Sequence, residues 1–215
     1  MTIPPPEKRA RKVKARKFYL MRPDIIRGGR AGFEVQNLAA LLDGRRVLGP
    51  PIGKREFANF DEPPRVLIDR SLGRALRDLE TCHEYWLVSD QLKVMLEAVD
   101  RDGVAFVRCD VRNRDGGEGP VYWLCDVLRV LDAVDEGASR VKVEQDTYQG
   151  QPWKGYSLLG GANLIFREDV VGSAHIFRMR YLEAQIICDE KLKDACKKSG
   201  LRGITFRDAA NYLGY

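Results

Sequence analysis

The sequence predicts an α+β fold: a mixed sheet with few helices, built around two related strand-helix-strand units. Two observations carry that expectation. Residues 183–208, EAQIICDEKLKDACKKSGLRGITFRD, contain an extended segment, an amphipathic helix with a capping residue, a glycine stop and a second strand. Residues 83–108, HEYWLVSDQLKVMLEAVDRDGVAFVR, show the same order at a constant offset of 100 positions without a gap.

In the later unit, Gln185, Ile186 and Ile187 suit an extended chain, and Asp189 can accept an N–H from the first turn of the following helix. Leu192, Ala195, Cys196 and Ser199 share the face to be buried, while Lys191, Lys193, Lys197 and Lys198 face water. Lys197 and Lys198 lie at the negative end of the helix, Gly200 ends it, and Ile204 and Phe206 share one side of the closing strand. In the earlier unit Ser89 aligns with Asp189. Leu92, Met95, Leu96 and Val99 align with the buried face, Gly103 with Gly203, and Phe106 with Phe206. Few residues are identical, and two amphipathic helices can match by chance. Agreement of cap, face, glycine and aromatic together points to a duplication.

The remaining elements follow in chain order. Phe18–Met21 read as a first strand ended by Pro23-Asp24, and Gly28, Gly29 and Gly32 as a turn, since no GK[ST] follows to complete a phosphate loop. Residues 33–68 are broken by Pro50, Pro51, Pro63 and Pro64 into short strands and loops, with Val66–Ile68 extended. Ser71 is placed to cap a helix with Leu72, Ala75, Leu76 and Leu79 on its apolar face. After the glycine-rich loop RNRDGGEGP, residues 121–135, VYWLCDVLRVLDAVD, fit helical spacing through Leu124, Cys125, Leu128 and Leu131. Their Val, Tyr and Trp content favours a long strand covered on both faces. Residues 140–157 read as a strand and an exposed turn bearing Tyr148, Trp153 and Tyr156. Asn163–Glu168 and His175–Met179 read as a pair of strands joined by EDVVGSA.

The chain has 215 residues, 44% apolar and 31% charged, as expected for a globular protein with one good core or two small ones. No apolar run approaches the roughly 20 residues needed to span a bilayer, and no apolar core follows the basic N-terminus, so a cytoplasmic protein is expected. The five cysteines, Cys82, Cys109, Cys125, Cys188 and Cys196, are widely spaced and are read as buried reduced thiols. With only His83 and His175 as histidines, no zinc spacing is present and no cofactor is expected.

Residues 1–17 carry seven cations, Lys8, Arg9, Arg11, Lys12, Lys14, Arg16 and Lys17, against Glu7, a net of +6. That leaves −1 for the other 198 residues of a chain whose total is +5. These residues are expected to form a disordered basic arm, followed by an N-terminal half (18–111) and a C-terminal half (112–215) that share one compact fold.

No pattern in the sequence completes a catalytic constellation. Cys82 and His83 are adjacent, so in a strand their side chains diverge. Asp132, Asp135 and Glu136 crowd the end of the 121–135 segment. They read either as turn and capping residues or as an acidic patch that faces a partner. The 140–157 segment pairs aromatics with Glu144 and Asp146, a combination suited to a binding surface, although aromatics also fill cores.

The pieces FYLMRPD, LVSDQLKVMLEAV, YWLCDVLRVLDAVDEGAS and HIFRMRYLEAQIICDEKLKDACKKSGLRGITF, in this order, resemble the bacterial immunity proteins of polymorphic toxin systems, family eleven in that nomenclature. The resemblance implies a small cytoplasmic α+β protein, encoded beside a secreted toxin, that binds this cognate toxin and blocks it, with no catalytic residues to transfer. Toxin contacts are then expected at Asp132, Asp135, Glu136, Glu144, Asp146, Tyr148, Trp153 and Tyr156. The alternative is a nucleic-acid-associated regulator that uses the basic arm, a class in which binding weakens steeply with salt.

Overall fold

A computed structural model of the chain describes residues 15–26, 29–42, 44–51, 54–148 and 150–214. The chain begins with β1 (Phe18–Pro23), whose Leu20 and Met21 point to opposite faces and are both buried. The short elements β2 (Phe33–Val35), α1 (Leu38–Leu42) and β3 (Arg65–Ile68) follow, in keeping with the proline-interrupted sequence. Next come β4 (Leu79–Cys82), β5 (Tyr85–Ser89), helix α2 (Asp90–Asp100), β6 (Val104–Arg108) and β7 (Asp110–Asn113). Then β8 (Tyr122–Val127), β9 (Val130–Leu131) and the ribbon of β10 (Lys142–Tyr148) and β11 (Gln151–Ser157) precede the single-turn helix α3 (Glu168–Val171). The hairpin β12 (Ile176–Met179) and β13 (Leu182–Asp189), helix α4 (Glu190–Lys198) and β14 (Ile204–Asp208) end the series.

The two larger sheets have the orders β4-β5-β8-β6 and β14-β1-β13-β12-β9. In the first, β8 pairs antiparallel with both β5 and β6. In the second, β1 pairs antiparallel with both β13 and β14. Each unit is thus a hairpin, a helix and a returning strand, with a gap between the last two strands that a middle strand fills. The early unit takes its middle strand from residues that follow it, and the late unit takes its own from the start of the chain.

The offset of 100 is also a structural equivalence. Trp86, Val88, Leu92, Leu96 and Val104 share one core with Ile186, Cys188, Leu192 and Cys196, and Phe106, Ile204 and Phe206 pack at its edge. The alternate residues Leu87 and Ile187 face outer cores on the far side of each sheet. The two helices pack against one another, and the Gln91 side chain donates to the Ser199 carbonyl at 3.0 Å. Lys93 lies 4.8 Å from the ring centre of Trp123 on β8, and Lys193 lies 4.0 Å from that of Tyr19 on β1. Helices this short do not persist in water alone. Each buried Leu contributes about 1.5–3 kcal/mol towards holding them on the sheets.

The units are also tied at their glycines. A Cβ on Gly103 would lie 2.9 Å from the Ile176 side chain, and one on Gly203, at φ +81°, would lie 2.7 Å from Arg77. Asp100, at the end of α2, accepts from Arg129 Nη1 at 2.7 Å and from the amides of His175 and Ile176 at 2.6 and 3.1 Å. Burial pushes this carboxyl up. The Arg129 guanidinium and the two amides outweigh that effect and hold it below its ordinary value.

The structure corrects three expectations. No helix follows Ser71, because residues 71–78 are drawn into tertiary contacts. A Cβ on Gly73 would lie 2.2 Å from the Arg30 carbonyl, Ala31 bridges to Arg74, and Arg74 clamps Glu80 at 2.5 and 2.8 Å. The 121–135 segment is extended but not one long strand, since it divides into β8 and β9. Asn163–Glu168 is not paired with β12. It makes single bridges, Arg140 to Asn163 and Val134 to Phe166, while β12 lies between β13 and β9.

Candidate functional site

The β10-β11 ribbon sets the geometry of the site. Its register places Asp146 opposite Trp153, Glu144 opposite Gly155, and Val143 opposite Tyr156. Side chains alternate along a strand, so Glu144, Asp146 and Trp153 share one face, whereas Lys154 and Tyr156 lie together on the other. The exposed aromatic group predicted from sequence is therefore divided. Trp153 is 48% exposed, but Tyr156 is only 4% exposed and belongs to the core beneath β12 and β13. The side chain of Tyr148 lies outside the described residues. The Trp153 indole lies over Gly155, where an added Cβ would approach it to 2.5 Å.

The acidic residues have separate tasks. The Asp135 carboxylate accepts from the amides of Gly137 and Ala138 at 3.1 and 3.0 Å, a turn-forming role. Glu136 accepts from Lys154 and from the Tyr156 hydroxyl. The Lys154 ammonium, then Tyr156, holds the Glu136 carboxyl below its ordinary range, and Glu136 in turn raises Lys154. Lys154 also lies 4.6 Å from the ring centre of Tyr181, which packs edge-on to Tyr156 and reaches the exposed Asp132 at 3.4 Å. Glu144 pairs with Lys142 at 2.8 Å, and Asp146 accepts from the Thr147 amide at 2.7 Å.

Beside the ribbon is a cleft of about 920 Å3, bounded by Trp153 and Lys154, the loop carrying Pro50, Pro51, Lys54 and Arg55, and the two hairpin turns of the repeated units. Glu84 comes from the β4-β5 turn and Arg180 to Glu183 from the β12-β13 region. Each turn contains a non-glycine residue with positive φ, His83 at 56° and Tyr181 at 68°. Arg55 pairs with the fully buried Asp126, which also accepts from Arg178 Nη2 at 2.9 Å. Burial lowers the pKa of Arg178, opposed by the attraction of Asp126.

Sequence reasoning missed Lys54, Arg55, Lys154, Arg180 and Tyr181 as site residues. One related signal was present: Asp126 and Arg178 are lone charges inside strands covered on both faces, a position that demands a partner. The Arg180-Tyr181 turn has no Gly or Asn to mark it.

Among the remaining predicted residues, Cys82 is in the core and His83 is exposed. Burial pushes the Cys82 thiol up to about 12, and all five cysteines are free and buried. Lys8, Arg9, Arg11, Lys12 and Lys14 lie outside the described residues. Arg16 is held by Asp189 at 2.9 Å and by the carbonyls of Gly172 and Ala174, and the Lys17 amide donates to Glu190.

The arrangement is an α+β scaffold of two interlocked units that presents an aromatic ribbon beside a charged cleft. Among the described residues no group of His, Cys, Asp and Glu is placed to hold a metal, and no helix is long and apolar enough to cross a membrane. A model of the immunity protein family (Imm11) matches residues 17–211, and the chain belongs to that family, the one its ordered motifs resemble. Comparison with curated proteins found no match.

Proposed function

We propose that this chain neutralises a cognate secreted antibacterial toxin by binding its toxin domain in the cytoplasm, without catalysis of its own. Family membership supports an immunity role. The observation that carries the choice of surface is the exposure of Trp153 on a ribbon that has Asp146 in register and Glu144 on the same face. A rigid aromatic flanked by charge suits the centre of a protein interface, where a few buried anchors supply most of the affinity. The carboxylates favour a basic face on the partner, such as the cleft of a toxin that degrades nucleic acid.

Asp135 and Glu136 are occupied within the chain, so their contribution is to hold the base of the ribbon; Asp132 remains exposed beside it. The test is co-expression of this chain with the toxin domain encoded beside it, followed by co-purification. Restored growth and a stable complex are expected. Neither rescue nor complex would overturn the proposal.

A further inference from the structure

The cleft beside Trp153 has features that an acidic ribbon does not explain. Lys54, Arg55, Lys154 and Arg180 line it against Glu84 and Glu183, an excess of cations. Asp126 is shared by Arg55 and Arg178, so the cluster at the cleft wall retains one uncompensated positive charge. Lys154 is paired with Glu136. Lys54 is not tightly paired: its side chain is 71% exposed and reaches Glu56 only at 3.6 Å. Arg180 rests 5.8 Å from the ring centre of Tyr181 and has no ion pair among the described residues.

We infer that this cleft receives an acidic segment of the bound toxin, an assignment that rests on the toxin-binding reading above. Pro50, Pro51 and Pro152 stiffen its walls, and the two positive-φ turns flank it, so little ordering is required when a segment enters. Glu84 and Glu183 would repel a polyphosphate but can pair with occasional cations in a protein segment of mixed charge. Trp153 also lines the cleft, so one anchor serves both ribbon and cleft. A negative ribbon face beside a positive cleft also specifies the orientation of the partner, because the reversed pose sets like charges together.

The test measures affinity for the purified toxin domain encoded beside this chain, at low and high salt. K54E/R180E is expected to bind about 100-fold more weakly at low salt, with a flatter salt dependence, while its circular dichroism and melting stay those of the parent. Should that variant fail to fold, K54Q/R180Q replaces it, with a loss of about 10-fold expected. Unchanged binding by the folded variant, alongside tight binding by the parent, would overturn the cleft assignment while leaving toxin binding intact. Absence of binding by the parent would overturn toxin binding itself. Displacement of the toxin by inorganic phosphate, beyond that by chloride at matched ionic strength, would reassign the cleft to a phosphate ligand.

Discussion

Ser89 and Asp189, 100 positions apart, close the first turns of α2 and α4 with the same hydrogen bond: Ser89 Oγ accepts from the Leu92 amide at 3.2 Å, and Asp189 Oδ1 from the Leu192 amide at 3.1 Å. Their other contacts differ. Ser89 donates to Asp78, whereas Asp189 also holds Arg16 and meets His175 Nδ1 at 2.7 Å. Ser89→Ala is expected to cost about 1 kcal/mol, the usual value of a cap, and Asp189→Ala about 2–4 kcal/mol because the buried carboxylate is lost to the partly buried Arg16 and His175 as well as to the helix. Urea unfolding measures both, and equal losses would show that Arg16 and His175 add nothing.

Asp100 links the two units and makes stability depend on pH. Its carboxyl is held below the ordinary 3.8, so its contribution is complete above that value and is lost as pH falls through the lower folded value. Asp100→Asn is expected to lose about 2–4 kcal/mol at neutral pH and to show a shallower decline in acid. Urea midpoints followed from neutral pH to about pH 3 test this. An unchanged acid limb would remove Asp100 from the account.

The five thiols are inert in the native state. Burial raises Cys82, Cys109 and Cys196 to about 12 and Cys125 and Cys188 well above their ordinary value. At mildly alkaline pH, alkylation is expected to label none quickly in the folded chain and all five after denaturation. Rapid native labelling of any one would contradict the described packing.

Gly155 keeps room for the Trp153 indole. Gly155→Val is expected to displace the ring and weaken toxin binding about 10-fold, with a stability loss of about 1–3 kcal/mol because Gly155 is buried beneath the indole. Indole fluorescence reports the displacement directly. Unchanged emission and affinity would show that the ring position is not set by the glycine.

Much of the fold was legible because its signals are local. Caps, the buried helix faces, Gly203 and the aromatic at 106 and 206 lie within one short window, and their recurrence at one offset marks the duplication. The middle strands were not legible as such, since both lie outside the repeated windows, β1 at the opposite end of the chain from its unit and β8 beyond the loop that follows its own. The helix expected after Ser71 had suitable spacing but lost to contacts with residues 30 and 31, which periodicity does not register. In the candidate site, parity held information that the grouping of aromatics obscured: Trp153 and Tyr156 are an odd number of positions apart, so a strand sends them to opposite faces. The cleft draws on residues near 50, 84, 153 and 180, and no local pattern joins them.

The central claim is tested most directly by titrating the toxin domain encoded beside this chain with the parent protein and with Trp153→Ala while following toxin activity. The account predicts stoichiometric loss of activity with the parent. With Trp153→Ala it predicts a folded protein whose affinity is at least about 30-fold lower, the signature of an interface anchor. Full neutralisation by Trp153→Ala at parental affinity would contradict the assignment of the ribbon as the toxin-binding surface.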